Sequence, residues 1–523
     1  MSTPRHMAPT HSHRQVPRLP VIVGLVGVIM LFALVDRQRG SRAAPATALV
    51  QAMPVAAPTK ALSSSWFCAG AFGRPTAVAD GQLVVANSTT RPLSGTARLV
   101  SSQGTTAVVP VNVGPLDRTV LSESTAVPGG PPPAAGPGAA PAPLPSFVGA
   151  IVTLNGGGAA VEQVISGDQG LTATPCGTSG SDHWYFADGT TQEGASLVMS
   201  LLNPYPEDAI ADLSFTTEQG VEAPADFQGI VVPAGGIVGV DVGSHLRRRD
   251  QVATTVSTRA GRVVAWKTMA VRAPSAISQA ATQLAGLTAA GVQTSRAPGL
   301  TLVLGTLSPG TTWWWPDGVA ADAVTERYQI YNPGQKEADV SLGLSLDQGS
   351  VDPFTIKVLP RGTATIVSNN EPRVPKGVGH AATLVSTNGV GVVAERTIDA
   401  VAPSPRDGLA ELLGSRLTSP RWLLPAGSAT PALDEWVVFS NPGKNAVTVS
   451  IVGLSVGNEV PLGGLSNLTL PPGRRVAVRI NESQPNADLP LLVKASGDIA
   501  VERDLYRVKG IGLSATIGVP LSP

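Results

Sequence analysis

Apolar residues alternate with small or polar ones in runs of five to eight through most of this chain, as in "ADVSLGLSL" and "VTVSIVGLS". A period of two is that of a strand with one buried face. Clusters of Gly, Pro, Asn and Ser end each run after roughly 8–12 residues, the spacing of antiparallel strands in a β-sandwich. A helical period fails because Pro or Gly interrupts almost every window long enough for a helix. The one stretch open to a helix is 275–291, "SAISQAATQLAGLTAAG", which reads equally well as a linker. The segment "VPGGPPPAAGPGAAPAPLP", 127–145, is too rich in Pro to enter a sheet and reads as a surface insertion.

The alternating pattern is itself repeated. An aromatic cluster opens each copy, "WFC" at Trp66, "WYF" at Trp184, "WWW" at Trp313 and "WLL" at Trp422. An Asn closes an apolar run 21 residues later in the first copy and 19 later in the other three, at Asn87, Asn203, Asn332 and Asn441. A Pro-containing turn follows, then a late strand ("GAAVEQVI", "GRVVAWKTM", "GVGVVAERTI", "GDIAVERDLY"), then "GLTATPCG", "GLTLVLG", "GLAELLG" or "GLSATIG". Self-similarity at a long, fixed period marks repeated folding units. The expected fold is all-β, four tandem Ig-like β-sandwich repeats after one N-terminal transmembrane helix. The expected boundaries are a cytoplasmic tail 1–18, an anchor 19–35, a stalk 36–62, and units at 63–177, 178–274, 299–407 and 408–523, with a linker at 275–298. A four-bladed propeller would also repeat its strands, but its blades recur at about 40–50 residues, far below the period here.

Asn-Pro-Gly at the third and fourth Asn reads as a tight hairpin turn, with the Asn side chain bonded to the turn backbone. A ligand-binding signature would keep its donors in every copy. Here the first copy lacks the Pro ("NSTTRP") and the second lacks the Gly ("NPYPED").

The N-terminus changes the picture from fold to location. Residues 19–35, "LPVIVGLVGVIMLFALV", carry no charge; as a helix they would span about 26 Å, a little short of a bilayer core of about 30 Å. A cleaved signal and an uncleaved anchor both fit that length. The nearest small-residue cleavage site, Ala46-Thr47-Ala48, lies downstream of Arg37, Arg39 and Arg42, which favours the anchor. The expectation is a single-pass membrane protein with most of the chain extracytoplasmic, or a secreted one if the signal is cleaved. The two cysteines, Cys68 and Cys176, bracket the first repeat and suit a disulfide in an oxidising compartment.

Charge excludes more than it suggests. Lys plus Arg and Asp plus Glu are equal at 37 each, which argues against a nucleic-acid partner. Trp313, Trp314 and Trp315 are the candidate platform for a sugar ring, although alternate residues of a strand face opposite sides and at least one should enter the core. Arg247, Arg248 and Arg249 form the densest basic run and are the candidate contact for an anionic envelope polymer or lipid headgroup. Glu395-Arg396 and Glu502-Arg503 sit inside apolar late strands, where a carboxylate with a partner serves acid–base chemistry. Their counterparts are Glu162-Gln163 and Trp266-Lys267, so an edge-strand or paired structural role is the better reading. No nucleophile elbow, phosphate loop or metal-ligand spacing occurs, and neither catalytic residues nor cofactors are expected.

Taken together, "SWFCAG", "WYFADG", "LLNPYPEDA", "RRRDQVATTV", "YNPG", "VAER" and "RWLLPAG" resemble an actinobacterial family of secreted or membrane-anchored proteins of unknown function, over roughly Trp66 to Gly518. The resemblance implies a cell-envelope component whose genes lie near those of glycosyltransferases, and it supplies no catalytic residues. The function expected is a non-catalytic structural or interaction protein of the envelope, with an envelope polysaccharide or protein as partner. The alternative is a carbohydrate-binding accessory protein to an envelope glycosyltransferase; an extracytoplasmic hydrolase is the weakest reading.

Overall fold

Alternation of buried and exposed positions puts nearly every ordered segment into antiparallel strands. The computed structural model describes residues 53–72, 80–123, 147–272, 296–347 and 349–522. The expected anchor 19–35, the insertion 127–145 and the helix-or-linker stretch 275–291 lie outside them. Among the described residues no helix is long and apolar enough to cross a membrane.

The first repeat has strands β1 (Ser64–Phe72), β2 (Asp80–Asn87), β3 (Leu93–Ser101), β4 (Thr106–Val113), β5 (Asp117–Ser122), β6 (Phe147–Leu154), β7 (Ala159–Gly167) and β8 (Gly170–Pro175). They form two four-stranded sheets, in the orders β1-β6-β3-β4 and β5-β2-β7-β8. The second repeat has β9 (His183–Phe186), β10 (Ala195–Leu202), β11 (Ala209–Thr217), β12 (Gly220–Glu222), β13 (Ile230–Val232), β14 (Ile237–Asp241), β15 (Val252–Ala260), β16 (Val264–Val271) and β17 (Gly299–Leu304). The third has β18 (Thr312–Trp315), β19 (Val324–Asn332), β20 (Ala338–Leu346), β21 (Phe354–Val358), β22 (Gly362–Val367), β23 (His380–Ser386), β24 (Val393–Ala400) and β25 (Gly408–Leu413). The fourth has β26 (Ser419–Leu424), β27 (Leu433–Ser440), β28 (Val447–Ser455), β29 (Asn458–Pro461), β30 (Leu468–Leu470), β31 (Arg475–Arg479), β32 (Leu491–Arg507), β33 (Leu513–Ile517) and β34 (Val519–Pro520).

The same pair of strand orders recurs. It is β9-β15-β11-β12 with β14-β10-β16-β17, then β18-β23-β20-β21 with β22-β19-β24-β25. In the fourth repeat β32 runs through both sheets, doing the work of a sixth and a seventh strand in one piece. This order differs from an immunoglobulin domain, in which the first strand lies beside the second. Here β1 pairs with β6, and β7 takes the place beside β2.

Each repeat closes on its own aromatic strand. Phe67 bridges Gly177, Tyr185 bridges Thr306, Trp314 bridges Ser415, and Leu423 pairs with Val519. The leading Trp of each cluster is buried, and three of the four indoles donate to the backbone just before or at the start of the seventh strand: Trp184 to Val263 O, Trp313 to Val392 O and Trp422 to Ile499 O.

The repeated Asn holds the two sheets together. Asn332 Nδ2 donates to Lys336 O (2.7 Å) and Val358 O (3.0 Å), and its Oδ1 accepts from Gly334 N (2.9 Å). The same three bonds occur at Asn87, Asn203 and Asn441. The hairpin expected there is corrected: β2 and β3 belong to different sheets, so the turn is an arch between them. The Asn amide supplies the bonds that a hairpin ladder would otherwise make, tying the end of the second strand to the end of the fourth.

Residues 50–523 form one compact unit. At its centre the eighth strands meet: β8 packs on β17, β17 on β25, β25 on β33, and β33 on β8. The "GL" that opens each of these strands is explained by that closure. A Cβ on Gly170 would lie 2.8 Å from Leu300 N, one on Gly299 2.6 Å from Leu409 N, and one on Gly408 3.0 Å from Leu513 N. In three of the four the Gly of one repeat admits the Leu of the next, while Gly512 lies against Arg507 of its own repeat. Of the expected stalk, residues 53–62 are described, and they are held rather than free. Ala56 N donates to Pro520 O, Ser522 Oγ to Ala56 O, and Gly158 N to Ala57 O.

Candidate functional site: inter-repeat charges and an axial pocket

The seventh strand lies between the second and eighth in its sheet, and the charged residues at its centre, two in the third and fourth repeats and one in the first and second, are fully buried. Neighbouring residues on a strand point to opposite faces, so such a dipeptide reaches two different repeats. Lys267 of the second repeat meets Glu395 of the third at 2.5 Å. Arg396 of the third pairs with Glu502 of the fourth. Arg503 of the fourth meets Glu162 of the first at 2.8 Å, closing the circuit. Each of these glutamates also accepts a backbone N–H that follows the partner repeat's aromatic strand: Ala187 N to Glu395, Asp317 N to Glu502 and Ala426 N to Glu162. At the remaining junction, first to second repeat, both positions change together. Gln163 stands where the others carry a cation, Trp266 where they carry a glutamate, and Gln163 turns to Glu123 of its own repeat. A charge without its partner would be stranded in the interior, so the two replacements occur as a pair.

Lys267 is the most crowded cation. Its Nζ also donates to Glu411 (2.6 Å) and Asp188 O (2.6 Å), while Thr301 Oγ1 donates to Glu411. Burial, together with the adjacent Glu411, pushes Glu395 up to about 8 despite Lys267, because two carboxylates share one ammonium. Burial opposes the charge on Asp188 too, but Arg296 and Lys267 outweigh it and hold the group at about 2.

The third–fourth junction has a second layer. Arg475 reaches across to Asp317 (2.9 Å) and to His380 O. Behind it His380 Nε2 lies 2.7 Å from Glu326 Oε2, and Glu326 also accepts from Ser368 Oγ and Tyr328 OH. The serine hydroxyl is spent on the carboxylate rather than on the imidazole, so these residues do not form a nucleophile–base pair.

Between the four eighth strands lies a pocket of about 80 Å³, to which every repeat contributes, with Thr174, Leu302, Leu413 and Ile517 among its walls. Met53 and Pro54 form part of its lining. Two ionisable residues line it, Glu411 and Arg416. Glu411 is matched by Lys267 and Thr301, as above. Arg416 is not matched: its Nη1 donates to Ser308 O at 2.8 Å, its guanidinium lies 4.9 Å from the Trp313 ring centre, and no carboxylate among the described residues pairs with it. Burial alone lowers its affinity for the proton.

The residues singled out in the sequence fall as follows. Cys68 and Cys176 form a disulfide. Cys68 occupies the place of Phe186, Trp315 and Leu424 in the other aromatic strands, where those side chains pack against Gly305, Gly414 and Gly518; the first repeat uses a covalent tie instead. The platform expected of Trp313–Trp315 is corrected, because Trp313 and Trp315 are wholly buried and Trp314 is half-buried in the closing bridge. A strand's two-residue period sends the flanking indoles into the core together. Arg247 and Arg248 are exposed, but Arg249 is neutralised by Glu222 at 2.9 Å, so the basic run presents two charges rather than three. Glu395-Arg396 and Glu502-Arg503 are paired across repeats and lie inside their sheets, not at an edge. Sequence reasoning missed Asp188 and Asp317, Glu411 and Arg416. A signal existed for three of them: Asp-Gly follows the aromatic cluster in the second and third copies, and Glu411 is the only charge in any "GLxxxxG" stretch.

Comparison with known proteins adds little chemistry. No curated protein matches the chain. Among solved structures, the Anabaena sensory rhodopsin transducer is 22% identical over 17% of this chain and 83% of its own, at a TM-score of 0.16. Thermotoga maritima 1070 is 17% identical over 20% and 93%, at 0.19. The Streptomyces avermitilis alpha-L-rhamnosidase is 9% identical over 81% and 54%, at 0.10. Scores of this size carry no argument about function. A family model does match, over residues 154–407, from the end of β6 to the approach to β25, and it is that of a family of unknown function, DUF5719.

Proposed function

We propose that this chain is a non-catalytic structural and interaction protein of the bacterial cell envelope: four β-sandwich units closed on one another, carried outside the membrane by an N-terminal anchor. The observation that supports this reading is the use made of the buried charges. The carboxylates and cations that a hydrolase would aim at a substrate are instead committed, Lys267 to Glu395, Arg396 to Glu502 and Arg503 to Glu162, to joining one unit to the next. Buried ionisable pairs define a unique arrangement better than they add stability, which suits a rigid body that presents surfaces. The long apolar N-terminal run and the disulfide support the extracytoplasmic placement.

The test is photo-crosslinking in intact cells from reporters at the exposed apolar positions Val231, Leu359 and Val385. Discrete adducts with particular envelope components, the same from cell to cell preparation, are expected. No adduct from any of the three positions, or turnover of an envelope polymer by the purified chain, overturns the reading.

A further inference from the structure

One more contact recurs between repeats, and its chemistry changes from junction to junction. It joins the fourth residue after a leading Trp to the seventh strand of the next repeat, two residues past the Glu position. At the first–second junction these are Gly70 and Thr268, and a Cβ on Gly70 would lie 2.9 Å from Thr268 Oγ1. At the second–third junction Thr397 Oγ1 donates to Asp188 Oδ2 at 2.7 Å. At the third–fourth junction a carboxyl replaces that hydroxyl, and Asp504 is hydrogen-bonded to Asp317. The same two places at the fourth–first junction hold Ala426 and Val164. Only the third–fourth junction sets two acids against each other.

A carboxylate has acceptors alone, so Asp504 can take the part of Thr397 only with a proton on it. Both acids are buried, Asp504 to 1% exposure and Asp317 to 9%. The cations that face them are already matched. Arg396 from β24 pairs with Glu502, which lies on the same face of β32 as Asp504, and Arg475 from β31 pairs with Asp317. Arg406 lies over the ring of Tyr506, the next residue on that face, and on β19 and β23 Glu326 is held by Tyr328 and His380. No cation among the described residues pairs with Asp504. Burial, Glu502 and Asp317 push its carboxyl well above the usual range, against Arg396. Burial opposes the charge on Asp317 too, but Arg475, Arg396 and the bond from Asp504 outweigh it and hold that group low.

We infer that Asp504 holds a proton and donates it in a hydrogen bond to Asp317, and that this shared proton is a latch between the third and fourth repeats. The junction is closed while the proton is held. Its release to solvent leaves two carboxylates facing each other in the interior, with Arg475 and Arg396 already committed, so this junction loosens as pH rises. The latch is independent of the scaffold role proposed above, since it concerns the inside of the closed body and not its surface.

The experiment compares the full-length chain with Asp504→Thr, which restores the hydroxyl found at Thr397. Infrared difference spectra at pH 7 are expected to show the variant losing carboxylic-acid absorption and keeping its carboxylate absorption. Loss of carboxylate absorption instead overturns the proposal. The second readout is the opening of β18 and β32, followed by hydrogen exchange corrected for base catalysis. An exposed Asp titrates near 3.9, so above about pH 4 the closed junction carries one proton that the open one does not. Stability is therefore full in acid and fades as pH rises, until the closed junction also gives up its proton. The parent is expected to open more readily relative to the variant by about tenfold for each pH unit in that window, while β1 and β6 of the first repeat keep their protection. A parent-to-variant ratio that stays constant from pH 5 to 9, or equal loosening of β1 and β6, overturns the latch. Asp504→Asn, whose amide donates without titrating, carries the same comparison if the threonine variant fails to fold.

Discussion

Removing Arg503 tests the closure of the molecule most directly. Arg503 and Glu162 are fully buried, 2.8 Å apart and 341 residues apart in sequence, so their contact exists only because the fourth repeat returns to the first. At an effective dielectric near 20, two charges at about 4 Å attract by about 4 kcal/mol. Arg503→Met removes that attraction and leaves Glu162 buried with the Ala426 N–H as its remaining partner. An uncompensated buried charge of this kind costs about 3–5 kcal/mol. Glu162→Gln keeps an acceptor for Ala426 N–H but strands Arg503, at a similar cost. The double variant strands neither, and should cost about 1 kcal/mol, so the two sites couple by several kcal/mol. Linked repeats need not unfold in one step. The readout is therefore native-state hydrogen exchange at β8 and β33, with calorimetric unfolding alongside. Additive single costs would refute the pairing, and equal loosening of β17 and β25 would refute its place at the first–fourth junction.

Three further outcomes follow from the same geometry. Glu395 titrates near 4.3 in an unfolded chain and at about 8 here; the fold retains a proton that the unfolded chain releases, so its contribution is full in acid and fades as pH rises through 8. Glu395→Gln, which has no proton to lose, should match the parent Tm at pH 5 and exceed it by a few degrees at pH 9, and a gap independent of pH would contradict this. Asn332→Ala strips partners from Lys336 O, Val358 O and Gly334 N and should cost about 2–4 kcal/mol in denaturant unfolding, against less than about 1 for Pro333→Ala. Gly299→Ala places a methyl 2.6 Å from Leu409 N and should cost about 1–3 kcal/mol, with exchange protection lost in β17 and β25 while β2 and β5 keep theirs.

Local pattern was enough to read the strands, the fourfold recurrence of Trp, Asn and "GLxxxxG", and the pairing of Cys68 with Cys176, because each rests on a period or a spacing that the chain carries in one dimension. The side-chain role of Asn332 was legible for the same reason, since two of its three bonds stay within four residues. What the turn at Asn332 connects was not legible: a hairpin and an inter-sheet arch use the same turn formers, and only the pairing of the second strand with the seventh distinguishes them. Nor could the sequence say why Glu162-Gln163 and Trp266-Lys267 depart from the charged pattern of the other copies. Within one repeat each looks like a broken motif. Across the first–second junction they are one compensated change, because the partner of a buried charge lies in the next repeat, more than a hundred residues away. Arg416 is the extreme case. Its neighbours in sequence give it no distinction, and its position, a guanidinium without an anion among the described residues at a pocket shared by four repeats, is created only when the eighth strands close around their common axis.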